Sequence, residues 1–238
     1  MNNSFLLKLL SSATAIGSLA AALTVFAPSA NAASLTFDAN PFTGSNTKVS
    51  ITLDDTAAGA GNIQFKVGFA ANSPTIGDFR GIFFNISDNS LLSGLRITGP
   101  DVTTYVTGNG NISSVGSANL NGDGNTHSFD VGVEIGKNGL QGGKDDIQFT
   151  TFTLSHTSQN LDLSLFAQQD FGFRITSVGT GNNREGSSKL IGTSPDLPPV
   201  VVQPPSSPSP APAPSPEPAP APTTQPPAPP GTKNPQAT

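Results

Sequence analysis

A rhythm of two constrains this chain more than any other feature of its sequence. Val49-Ser50-Ile51-Thr52-Leu53, Ile63-Gln64-Phe65-Lys66-Val67-Gly68-Phe69 and Phe129-Asp130-Val131-Gly132-Val133-Glu134-Ile135 alternate apolar with small or polar residues. Successive side chains of an extended strand point to opposite faces, so each run predicts one apolar face turned inward and one polar face turned outward. Further runs follow over Leu35–Asp38, Gly81–Ser87, Leu92–Thr98, Val102–Thr107, Ile147–Leu154, Phe171–Val178 and Ser188–Ile191. About ten short strands separated by turn-rich loops predict an all-β fold, an antiparallel β-sandwich or jelly-roll-like single domain. Only Leu161–Gln169, where Leu161, Leu165 and Phe166 share a face, predicts a short helix. Glycine-asparagine clusters at 121–125, 136–143 and 179–183 mark turns that need positive φ.

The rhythm has clear ends. Residues 1–32 carry one cation, Lys8, then a stretch of mostly Ala, Leu, Ser and Thr, then Ala30-Asn31-Ala32. These are the parts of a secretory signal peptide cleaved before Ala33, and the serines and threonines within the stretch make it a poor permanent span. Between Pro198 and Pro230 lie 33 residues, of which 16 are proline and one, Glu217, is charged. Such a segment supplies no core. It predicts a disordered, extended tail over 198–238, the proline-dense part reaching on the order of 100 Å as polyproline II. The foldable domain is therefore 33–197, exported to the cell surface or the extracellular space, with no membrane span in the mature chain.

Composition narrows the chemistry. No cysteine is present, so an exported domain must rely on its core, and thiol nucleophiles and thiolate metal sites are excluded. Eleven basic against sixteen acidic residues give a net charge of -5, which disfavours nucleic acid as a partner. The two histidines, His127 and His156, have neither metalloprotease nor triad spacing and are expected as exposed loop residues. Asp130 and Glu134 would both face outward, about 13 Å apart along one strand, too far for either glycosidase geometry.

Calcium is the more credible use of the acids, because it takes carboxylate, amide and carbonyl oxygens. Asn121, Asp123 and Asn125 alternate in one loop, and Asp145 and Asp146 follow the Gly142-Gly143 turn. These five are the candidate metal ligands, although Thr126 stands where an EF-hand loop needs glycine. A solvated turn with Asx caps explains the same residues.

Four strings, Asp78-Phe79-Arg80-Gly81-Ile82-Phe83-Phe84-Asn85, Phe129 to Gly136, Lys144-Asp145-Asp146-Ile147-Gln148 and Arg184-Glu185-Gly186-Ser187-Ser188-Lys189-Leu190, resemble an exported bacterial β-domain. That domain, of cyanobacterial type, occurs in surface proteins with a PEP-CTERM sorting signal and in extracellular calcium-binding repeat proteins. The resemblance covers about Thr75 to Thr193 and brings no known activity. In the tail it reaches only Ser215-Pro216-Glu217-Pro218, because Ala219–Thr238 is proline-rich with one cation, Lys233, where the sorting signal has a membrane span. Without that resemblance, Asp78 and Arg80 read as an exposed charge pair on one strand face, and Arg184-Glu185-Gly186 as a turn.

Together these features predict a non-catalytic exported surface or matrix protein that works by binding or structural interaction. Extracellular polysaccharide or other surface proteins are the partners considered, and calcium is an optional stabiliser. The alternative is an extracellular hydrolase acting on glycans through Asp or Glu. The sequence leaves the oligomeric state open.

Overall fold

In a computed structural model, which describes residues 34–137 and 145–197, fourteen strands follow one another as β1 (Ser34–Gly44), β2 (Val49–Asp54), β3 (Ile63–Phe69), β4 (Ile76–Phe84), β5 (Leu95–Thr98), β6 (Val102–Ile112), β7 (Ser114–Val115), β8 (Ala118–Asn119), β9 (Asn121–Gly122), β10 (Asn125–Thr126), β11 (Phe129–Ile135), β12 (Phe149–His156), β13 (Asp170–Thr180) and β14 (Asn183–Thr193). Ten of them join edge to edge in the order β5-β12-β3-β2-β1-β14-β13-β4-β11-β6, and every pairing is antiparallel.

The sheet folds over at β1. Residues Ser34–Ala39 pair with β2, whereas Asn40–Gly44 pair with β14, and the register slips between Pro41 and Thr43. Proline has no N–H to give to a ladder, so the break falls where the strand changes partners. One layer is β5-β12-β3-β2 with the first half of β1. The other is the second half of β1 with β14-β13-β4-β11-β6. The result is an antiparallel β-sandwich, nearly closed at its far side, where the Tyr105 hydroxyl of β6 donates to the Leu95 carbonyl of β5 over 3.4 Å.

Between the layers lies a phenylalanine core. Phe65 on β3 stands 5.0 Å from Phe84, 4.5 Å from Phe152 and 5.6 Å from Phe166, while Phe37 meets Phe171 at 4.8 Å and Phe69 stacks on Phe79 at 4.9 Å. Offset and edge-on pairs at these separations add to the large apolar area that each ring buries. In β2 and at the start of β3, buried and half-buried residues alternate as the sequence predicts.

At the centre of the six-stranded layer, β4 and β11 depart from that pattern because both of their faces are covered. Phe83, Val115, Ala118, Leu120 and Phe129 form a second apolar cluster, partly from the β7–β8 hairpin. Five of the seven β11 residues are buried in an unbroken row from Phe129 to Val133, so the expectation that Asp130 faces outward is corrected: it is 5% exposed. The bare backbone of Gly172 makes room for the second cluster, since a Cβ there would fall 2.3 Å from Leu120 and 2.8 Å from Phe129.

Strands β7 to β10 lie where the sequence predicts none, β1, β6, β12 and β14 have other bounds than expected, and three further elements differ in kind or start. The strand expected over Gly81–Ser87 begins at Ile76 and ends at Phe84. Residues Asn89–Gly94 form a 3-10 turn capped by Asp88, so Leu92–Thr98 is extended only from Leu95. The expected helix over Leu161–Gln169 is a single 3-10 turn, Leu163–Phe166, started by the Asp162 carboxylate accepting from the Ser164 N–H and followed by Gln168 at φ 58. Continued helix is incompatible with a left-handed residue. Of the glycine-rich turns, 138–143 lies outside the described residues, as do the leader at 1–32 and the tail at 198–238.

Candidate functional site

The four strings singled out in the sequence meet at one end of the sandwich. β4 contributes Asp78 and Arg80, and neither is an exposed charge: Asp78 is 0% and Arg80 2% exposed. A bulge places them. Gly81 pairs with Arg174 and Phe79 with Ile175, so Arg80 is an extra residue on β4 opposite a single step of β13. Without it, Phe79 and Ile82, which are three apart, could not both reach the main core.

Asp78 fixes the segment before β12. Its carboxylate accepts the Ile147 N–H at 3.0 Å, and the Phe79 N–H donates to the Ile147 carbonyl at 2.9 Å. From β13, the Thr176 hydroxyl donates to the other Asp78 oxygen at 3.5 Å. Arg80 donates to the Lys137 carbonyl just beyond β11. One residue before Ile147, Asp146 takes both arms of the Arg184 guanidinium, at 2.5 and 2.6 Å, and the Gln148 amide donates to it at 2.8 Å. Arg184 also donates to the Ser177 carbonyl at 2.9 Å, where Ser177 turns at φ 49.

The electrostatics follow from this packing. Burial pushes the Asp78 carboxyl up to about 6, against the Ile147 N–H and Arg80, which favour its charge; Asp146 adds to the rise. Asp146 moves the other way, held below the ordinary carboxylate range first by its hydrogen bond from Arg184. Two neighbouring acids thus titrate apart, a pattern seen where acid-base work is done. Yet Asp78 has no exposed surface, and a general acid must come within hydrogen-bond reach of its substrate. Its oxygens serve Ile147 and Thr176. A cleft of about 580 Å3 lies alongside, lined by Asp101, Thr103, Gly136, Lys137, Asp145 and Ile147 among others. Part of its polar lining is already paired: Asp101 accepts from the Thr150 hydroxyl at 2.9 Å and the Gly136 carbonyl from the Thr103 hydroxyl at 2.7 Å.

The five candidate metal ligands belong to two separate hydrogen-bonded neighbourhoods. Asn121, Asp123 and Asn125 form the β9–β10 hairpin, turning through Asp123 at φ 52 and Gly124 at φ 73 as a two-residue turn of this hand requires. The Asn125 amide donates to the Asp123 carbonyl at 3.1 Å, and the Lys189 ammonium donates to the Asn121 carbonyl and, at 2.7 Å, to Asn119 Oδ1. A protein cation thus sits on one backbone oxygen of this hairpin. In the other neighbourhood Asp146 is paired with Arg184, and Asp145, at φ 68, lines the cleft. Among the described residues, no group of three or more His, Cys, Asp or Glu is placed to hold a metal ion.

Asp130, Glu134 and both histidines also have internal partners. Asp130 accepts the Ile86 N–H at 3.0 Å and the Gly110 N–H at 2.7 Å; Glu134 accepts the Ser117 N–H at 2.9 Å. His127 is half-buried against Phe42 at 4.4 Å. His156 ends β12, where its Nδ1 accepts the Ser158 and Gln159 N–H groups at 3.1 and 3.0 Å. His127 lies in the loop between β10 and β11 as expected but is half-buried, and His156 belongs to a strand rather than a loop. What sequence reasoning missed is the pairing of Asp146 with Arg184 across 38 positions and the burial of Asp78 and Arg80. The odd apolar spacing Phe79, Ile82, Phe84 was the available signal of a bulge.

No protein-family model, curated protein or solved structure matches the chain. Among the described residues, no helix is long and apolar enough to cross a membrane.

Proposed function

We propose that this chain is a non-catalytic exported β-sandwich of the cell surface or extracellular matrix, working by binding or structural interaction. The observation that supports this reading best is the use made of its acids. Asp78, Asp130 and Glu134 each accept backbone N–H groups, and Asp146 is forked to Arg184, so the carboxylates fasten loops to the sheet. A glycan hydrolase needs two carboxylates open to one cleft, one as acid and the other as base or nucleophile, and of the two acids that line the cleft, Asp101 is tied to the Thr150 hydroxyl. The alternating strands, the proline-rich spacer and the leader-like residues 1–32 support export and display.

The test is turnover. Purified protein incubated with a panel of soluble polysaccharides should release no reducing ends above buffer. Release that disappears in Asp101→Asn or Asp145→Asn, the acids that line the cleft, would overturn the reading in favour of the hydrolase. Calcium is an optional part of the proposal. A melting midpoint that rises in millimolar calcium relative to chelator would support it, and an unchanged midpoint would remove it.

A further inference from the structure

We infer that the chain pairs with a second copy of itself through the free edge of β6, strand against antiparallel strand. This goes beyond the reading above, which leaves the oligomeric state open. β6 and β5 are the two ends of the ten-stranded sheet, and among the described residues no strand lies on the outer side of either. β6 pairs with β11 in unbroken register from Thr104 to Thr107. In an antiparallel ladder alternate residues turn both N–H and C=O away from their partner, so two of these four residues offer a donor and an acceptor outward. What such an edge recognises is another extended backbone.

The edge is open because its neighbours lie elsewhere. Val102 and Tyr105 pack against the main core, so the Tyr105 hydroxyl that donates to the Leu95 carbonyl at 3.4 Å crosses between the layers. β5 therefore stands opposite β6 and not alongside it. The 3-10 turn before β5 meets β6 at Asn109, where the Asn89 amide donates to the Asn109 side chain at 2.5 Å, beyond the regular run. Thr104, Val106 and Thr107 are exposed, Val106 by 37%.

The two ends of the sheet differ in what guards them. Native sheets protect an end with charge, proline or a bulge. β5 carries the exposed Arg96 among its four residues, so two copies joined there would set guanidinium beside guanidinium. β6 has no charge and no proline, and its extra residue at Thr103 falls outside the regular run. The chain as a whole has a net charge of -5, and neutrality along this edge removes the repulsion that would hold two copies apart. The acids beside it are engaged within their own chain, Asp101 by the Thr150 hydroxyl and Glu134 by the Ser117 N–H. Turned about a two-fold axis, the strand meets its own Thr104, Val106 and Thr107, β-branched residues that favour one another across a ladder. Such a contact uses the one unguarded edge of each copy, so assembly stops at two. Four residues span about 14 Å, a small contact, and the dimer is therefore reversible.

Sedimentation velocity of the full chain over about a hundredfold range of concentration tests this. The mean mass should rise from one chain towards two and go no higher. Val106→Lys and Val106→Glu each set like charges together and should weaken association about tenfold, and an equal mixture of the two should restore it. Both variants should melt with the parent, because the Val106 side chain lies outside the core. A parent of constant single-chain mass, growth beyond two, a Val106→Lys variant that associates like the parent, or a mixture no heavier than its parts would each overturn the inference. An edge reserved for a strand of another protein would give the first of these outcomes. All of them would leave the non-catalytic reading standing, since that reading fails only on turnover.

Discussion

Asp78 is an acid whose position works against its charge. Its carboxyl is raised to about 6 from the ordinary 3.8, so the folded state binds a proton more tightly than the unfolded chain between about pH 4 and pH 6. Stability contributed through this group is thus present at the acidic end and is lost as pH rises through about 6, by up to about 3 kcal/mol. Asp78→Asn keeps an oxygen for the Ile147 N–H and removes the charge. The stability difference between parent and variant should shift against the parent from pH 4 to pH 7 in urea titrations; a difference independent of pH would contradict this. Asp146 has the opposite sign, its depressed carboxyl contributing above the unfolded value and failing as pH falls through the folded one. Replacing Arg184 with Met should therefore destabilise by roughly 1–3 kcal/mol at pH 7 and by less at pH 3, read from the same titrations. Asp130→Ala strands two backbone donors, those of Ile86 and Gly110, and should cost about 2–4 kcal/mol.

At the scale of elements, the legible parts are those where one face is dry and the other wet. β2 and β3 were readable to within a residue because Val49, Ile51, Leu53, Ile63, Phe65 and Val67 all point one way. β4 was not, because it is covered on both sides and broken by the bulge at Arg80; an alternation rule can see neither covering nor a change of phase. The same covering hid Asp130. The candidate site was legible only as four strings worth quoting. That Asp146 would find Arg184 depends on β13 and β14 pairing beside β4, a long-range fact with no local signature. A prediction belongs to this scale too. Gly172→Val would drive a side chain into Leu120 and Phe129 and should lower stability by about 1–3 kcal/mol, with loss of the native near-ultraviolet signal as the check if the cluster rearranges.

For the whole molecule, the seam at β1 matters most. Because one continuous strand supplies an edge partner to β2 and another to β14, neither layer has an intact border without the other. Thermal unfolding of 33–197 should be a single transition, with calorimetric and van't Hoff enthalpies in agreement and a midpoint equal to that of the full chain, since 16 of the 33 residues from Pro198 to Pro230 are proline and the sequence predicts no core there. A second transition would mean that the layers come apart separately. β14 is also the last strand before residue 198, and it runs antiparallel to the half of β1 that it closes. Tension arriving along the C-terminal segment therefore meets the two ladders of β14 first, with β13 from Thr193 and with β1 from Ile191. Pulled from that end, the domain would give way along β14 rung by rung, so the strand that closes against β1 would also be its mechanical fuse.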